Sequence, residues 1–208
     1  HQIDYYLEMV KALGCAPVGR EMHLQARINR VIAQNTLHEF IPGPEKPVVG
    51  IAPGATYGPA KRWFPERFAE VADKISANYG CHIVLLGGKD DWKVAQQVCA
   101  KSSTDLINLA GKTTLREAIY LISQCVLFIS NDSGLMHIAG ALNVPTVAIF
   151  GSTNPLTTSP VGEKIKIVRE EVSCSPCLKE TCPTDFRCMD LVKVDDVLSA
   201  ARDILKCN

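Results

Sequence analysis

Short runs of β-branched and aliphatic residues alternate along most of this chain with stretches whose apolar residues recur every three or four positions. Val48-Val49-Gly50-Ile51-Ala52, Ile83-Val84-Leu85-Leu86, Ile107-Asn108-Leu109, Val126–Ser130 and Thr146-Val147-Ala148-Ile149-Phe150 read as buried strands. Between them lie predicted helices. Pro65 opens one with the stripe Phe68, Val71, Ala72, Ile75 and Tyr79. A second runs from about Asp90 to Ala100. The pair Thr114 and Glu117 is a capping box that starts a third, through Ile122. A fourth covers about Leu135 to Leu142, and a last one about Asp195 to Lys206, with Val197, Leu198, Ala201, Ile204 and Leu205 on one side. This alternation predicts an α/β fold, a Rossmann-like parallel sheet with helices on both faces.

The first forty residues differ. Ile3, Tyr6, Leu7, Val10 and Leu13 form a helical stripe that Gly14 can end, and a second helix is expected over about Arg27 to Phe40. Residues 41–47, Ile-Pro-Gly-Pro-Glu-Lys-Pro, read as a linker. The chain starts at His1 rather than methionine, as a cut through a longer protein would.

Composition narrows the function. Lys plus Arg number 22 and Asp plus Glu number 22, a balance that argues against a nucleic-acid binder. No apolar run approaches the about 18 residues that cross a bilayer as a helix. Of nine cysteines, Cys15, Cys81, Cys99, Cys125 and Cys207 are scattered and read as small core residues.

In a parallel sheet, ligands bind beyond the carboxyl ends of the strands. The loop after the first strand, Pro53-Gly54-Ala55-Thr56-Tyr57-Gly58-Pro59-Ala60-Lys61-Arg62-Trp63, joins glycines to two cations, a setting for phosphate, although solvated basic residues on a plain surface loop would look the same. Gly87-Gly88-Lys89-Asp90-Asp91 offers carboxylates to ligand hydroxyls or, more simply, to a helix start. Ala110-Gly111-Lys112-Thr113 is no P-loop, because the required first glycine is Leu106. Asn131-Asp132-Ser133-Gly134-Leu135-Met136-His137 puts Asp132 at a strand end. Ser133 is placed to cap the following helix, and His137 lies one turn further on. Phe150-Gly151-Ser152-Thr153 adds small hydroxyls. Neither the Gly-x-Ser-x-Gly elbow of serine hydrolases nor the Gly-x-Gly-x-x-Gly dinucleotide fingerprint occurs.

These loops, in this order, resemble the ADP-heptose:lipopolysaccharide heptosyltransferases of glycosyltransferase family 9, most of all their heptosyltransferase II branch. The resemblance spans about residues 1–205. It implies a GT-B architecture, with 48–208 as the C-terminal nucleotide-sugar-binding domain and 1–40 as the closing segment of the N-terminal acceptor domain. It implies an ADP-heptose donor, a lipopolysaccharide core acceptor, and a cytoplasmic site at the inner face of the inner membrane, touched peripherally through the acceptor. Lys61 would then pair with donor phosphate and sugar, and Asp132 would face the sugar with His137 beside it. Thr56 would lie in the pyrophosphate loop, Asp90 near the ribose and Thr113 near the adenosine. Ser133, Gly134 and Leu135 would give amides to the diphosphate. The family's early acidic general base has no counterpart in this sequence. Transfer would invert the anomeric centre by direct displacement, with no obligatory metal or other cofactor. A related transferase using another nucleotide sugar, or a non-catalytic nucleotide-binding module, remain the alternatives.

Cys174, Cys177, Cys182 and Cys188 are spaced by two to five residues in the Cys-rich loop 174–188. Four thiolates bind zinc or an iron–sulfur cluster. The uneven gaps depart from an ordinary zinc finger, and disulfides or free packing thiols are the alternatives. No metal site is assigned from the spacing.

Overall fold

The computed structural model describes residues 1–26, 39–43 and 45–206. The helix expected over 27–40 falls outside them except for Glu39 and Phe40, which are helical. Strands β1 (Val48–Ala52), β2 (His82–Leu85), β3 (Ile107–Asn108), β4 (Cys125–Asn131), β5 (Thr146–Ile149) and β6 (Ile165–Val168) form one sheet in the order β3-β2-β1-β4-β5-β6. Every pairing is parallel. The chain reverses direction of winding at β1 and β4, so the loops after these adjacent strands diverge and leave a crevice between them.

The helices are α1 (Gln2–Ala12), α2 (Pro65–Tyr79), α3 (Trp92–Lys101), α4 (Leu115–Ser123), α5 (Gly134–Ala141), α6 (Pro155–Thr158), α7 (Arg187–Asp190) and α8 (Val194–Lys206). The period-two alternation of each strand sends its side chains to two cores. Val49, Ile51, Ile83, Leu85, Leu127 and Ile129 meet α2, α3 and α8 on one face, through residues such as Phe68, Ala95 and Val197. Val48, Ala52, Val84, Leu86 and Phe128 meet α4 and α5 on the other, through Leu121, Ile122 and Ala139. The Thr114–Glu117 capping box forms as read, and Gly80 ends α2 in the left-handed conformation at φ 59°.

Three expectations change. Strand β6 and the four-residue helices α6 and α7 were not foreseen. Helix α1 forms, but its stripe is not buried: no residue of α1 is buried, and Tyr5, Tyr6, Met9, Val10 and the following Leu13 are exposed. The linker is anchored at one end, where Ile41 is fully buried against the β1–β4 face. Among the described residues no helix is long and apolar enough to cross a membrane.

Gly50 lies at the centre of the sheet. A Cβ there would stand 2.5 Å from the Phe128 ring and 3.0 Å from the Cys125 sulfur. Gly50→Ala should therefore overpack the core and destabilise the fold by roughly 1–3 kcal/mol. A lower urea midpoint checks it, and an unchanged midpoint would show that Phe128 moves aside freely.

Candidate functional site at the carboxyl ends of the strands

The loops after β1, β2 and β4 surround a cavity of about 290 Å³. Thr56, Asp90, Ser133, Gly134 and Leu135 all line it, as their strand-end positions predict. Leu86, Leu115 and Ile138 supply apolar wall. Thr113 is not part of the lining; Leu115, two residues on, takes that place.

Helix α5 points its N-terminus at this cavity, and the first amides of a helix find no partner within it. Ser133 is the N-cap residue, but its side chain does not cap the helix. Its hydroxyl lies 3.0 Å from that of Ser130 instead, which corrects the expected capping role. Met136 N–H bonds to Ser133 O at 3.2 Å, and the Gly134 and Leu135 amides are left to an incoming acceptor.

Lys61 and Asp132 are not part of the lining either; next to Ser133 they form an ion pair, Nζ to Oδ2 at 2.7 Å, with side-chain exposures of 13% and 5%. Thr153, in the loop after β5, donates its hydroxyl to the same carboxylate oxygen at 2.6 Å. The Lys61 ammonium also lies 4.8 Å from the centre of the Tyr57 ring. A buried pair is maintained only where further bonds satisfy its atoms. Thr153 does this for Asp132, a role its position after Gly151 and Ser152 did not disclose.

The placement of Lys61 depends on Asn131. This fully buried residue donates its amide nitrogen to the Pro53 carbonyl at 2.8 Å and accepts the Trp63 backbone N–H at 3.0 Å. One carboxamide thus joins both ends of the Pro53–Trp63 loop to the end of β4. Trp63 is itself fully buried, donating its indole N–H to Val192 O at 3.1 Å and meeting Phe68 edge-on at 5.1 Å.

Asp91, also in the lining, accepts the Gly88 N–H at 3.0 Å and lies 3.8 Å from the Arg62 guanidinium. Its carboxylate packs so closely on Gly54 that a side chain there would collide with it. Asp91 therefore shapes the floor of the cavity, while Asp90 is exposed at its edge.

His137 faces a separate hollow lined by Met22, His23, Leu24, Ile138 and Ala141. Burial pushes its imidazole below the ordinary 6.5, while Asp132 acts to raise it and Lys61 to lower it.

A second cavity of about 130 Å³ is lined by Cys174, Cys177, Cys182 and Cys188, all free thiols. Among the described residues no three His, Cys, Asp or Glu side chains already stand in an arrangement that would hold a metal ion.

The sequence model of glycosyltransferase family 9 (heptosyltransferase) matches residues 12–186. The chain belongs to glycosyltransferase family 9. It is 38% identical over 167 residues to lipooligosaccharide heptosyltransferase 2 of Campylobacter jejuni, covering 77% of this chain and 52% of that protein. It is 44% identical over 130 residues to the Haemophilus ducreyi protein of the same name, covering 60% of this chain and 37% of that one. The structure of ADP-heptose LPS heptosyltransferase II of Escherichia coli superposes with a TM-score of 0.79 at 31% identity, over 92% of this chain and 56% of that one. A family 9 glycosyltransferase of Veillonella parvula gives 0.82 at 26% identity, over 99% and 60%. The chain thus spans about half the length, or less, of the curated relatives it matches. The Rossmann-like sheet is the one shared with these family 9 structures.

The depressed His137 has a signed consequence. Between its folded value and 6.5 the unfolded chain binds more protons than the folded one, so His137 contributes stability above 6.5 that is lost as pH falls. His137→Gln should flatten this part of the curve. Urea midpoints measured on both sides of 6.5 should fall more steeply for the wild type; parallel curves would contradict the burial.

Proposed function

We propose that this chain binds ADP-heptose in the 290 Å³ cavity and serves heptose transfer to the lipopolysaccharide inner core. The observation that carries this reading is the convergence at one crevice of the α5 amides and the Lys61–Asp132 pair. The names of the Campylobacter, Haemophilus and E. coli relatives supply the sugar and the acceptor class. The apolar wall of Leu86, Leu115 and Ile138 suits a nucleobase, and Asp90 at the edge suits ribose hydroxyls.

In this reading the diphosphate lies against the amides of Ser133–Leu135 and the Lys61 ammonium. Asp132 turns its carboxylate toward the heptose. The acceptor hydroxyl oxygen attacks the anomeric carbon from the side opposite the diphosphate, the bond from that carbon to the phosphate oxygen breaks, and ADP departs with the bonding pair. The attacking hydroxyl gives its proton to a general base. Lys61 and the amides stabilise the charge that develops on ADP. With those donors in place, no metal is needed to bridge the diphosphate. The acceptor brings the protein to the cytoplasmic face of the inner membrane as a peripheral contact.

Calorimetry tests the donor assignment. ADP should bind more tightly than UDP or GDP, equally with or without magnesium. Lys61→Ala should weaken ADP by about 1.5–3 kcal/mol, the worth of a hydrogen bond to a charged group. Asp132→Asn leaves Lys61 without its counter-charge, so it should spare or tighten ADP while weakening ADP-heptose. Equal ADP affinity in wild type and Lys61→Ala would sink the phosphate role. Parallel loss of both ligands in a folded Asp132→Asn would make that residue structural.

A further inference from the structure

The Cys-rich loop has little secondary structure of its own, only the first two residues of α7 at its end. It nevertheless adheres to the ligand-side loops. Ser175 donates its hydroxyl to Gly151 O at 2.6 Å, and Leu178 N–H reaches Ser152 O at 2.9 Å. The Tyr57 hydroxyl donates to Leu178 O at 2.7 Å, and Ala60 N–H to Glu180 O at 2.9 Å. The segment that carries Lys61 therefore leans on the cysteine loop.

Four separate observations meet inside that loop. All four of its cysteines line one cavity of about 130 Å³. The Ser152 hydroxyl, 1% exposed, lines the same cavity and has no hydrogen-bond partner. The Cys182 sulfur receives the Phe186 N–H at 3.3 Å and lies 3.5 Å from the Thr184 hydroxyl, donors of the kind that steady a ligating thiolate. Lys179 and Arg187 also line the cavity. Four thiolates around one divalent ion carry two net negative charges, and Lys179 offsets one of them, while Arg187 is paired with Asp185 at 2.8 Å.

We propose that Cys174, Cys177, Cys182 and Cys188 bind a single divalent ion of the zinc type as a structural clamp on this loop. The thiols frame the cavity rather than already meeting at a ligating point, so the ion draws them inward to a tetrahedron of sulfurs at about 2.3 Å. Each thiol gives up a proton on binding, and no oxidation is involved. The site lies outside the donor cavity and does not rest on the donor assignment.

The test is metal analysis of the full chain, purified with a reductant and without chelators, then reconstituted with zinc. One zinc per chain is expected, released when a mercurial blocks the thiols and recorded by a chromogenic chelator. Replacing zinc by cobalt should give the intense visible absorption of a tetrahedral thiolate complex. Cys177→Ser combined with Cys182→Ser should abolish binding, while Cys99→Ser should retain it. Removal of the ion should open Lys179 and Arg187 to trypsin. The wild-type release measurement stands even if the double variant fails to fold. Four thiols alkylated at full rate in zinc-treated protein, a disulfide within the loop, or acid-labile sulfide would each overturn the proposal.

Discussion

A single buried carboxamide organises the ligand side of this fold. Asn131 ends β4, immediately before Asp132, and spends both ends of its amide on the loop that follows β1. The middle of that loop is held elsewhere, by the buried Ala60 and the bonds of Tyr57 and Ala60 to the cysteine loop, so Asn131 is what fixes its two ends. With Pro53 O and Trp63 N–H both held, and the Trp63 ring locked in the core, Lys61 arrives at Asp132 without having to search. An unmet buried amide costs about 1–3 kcal/mol, so the arrangement enforces itself: any displacement of the loop leaves polar groups stranded in a dry interior.

The ion pair this produces has an unusual electrostatic character for a lysine proposed to meet a phosphate. Asp132 neutralises Lys61 at 2.7 Å, and Thr153 holds the carboxylate in turn. The pair therefore offers a positioned donor rather than a net attractive field. Attraction for an anion comes chiefly from the dipole of α5 and its Gly134 and Leu135 amides, which the Ser133 hydroxyl, turned to Ser130, does not cap. Selectivity between a bare diphosphate and one carrying a sugar then depends on which partner Lys61 keeps.

Much of this fold was legible in the sequence because four of its strands are buried along most of their length. Such strands read as uninterrupted apolar runs, and β1, β2, β4 and β5 each lie within a residue or so of the expected span. Strand β6 escaped because it is an edge: Lys166 and Ile167 are exposed, so no buried run marks it. Helices α6 and α7 are too short to show a period. The cavity residues Thr56, Asp90 and Ser133–Leu135 could be found because topology alone puts strand-end loops together. The bonds of Asn131 and Thr153 could not, since their partners lie 78, 68 and 21 positions away and follow from packing rather than pattern. The shift from Thr113 to Leu115 reflects where α4 begins, a matter of half a turn.

The two margins of the sheet carry one more implication. At one side β3 has only two residues, and at the other β6 presents the exposed Lys166. A strand needs length and apolar faces to recruit another strand, and neither margin offers both. A central sheet this rich in aliphatic residues would otherwise be a template for stacking between molecules. Its terminal strands instead act as stops, which leaves strand-to-strand growth from this sheet without a starting point.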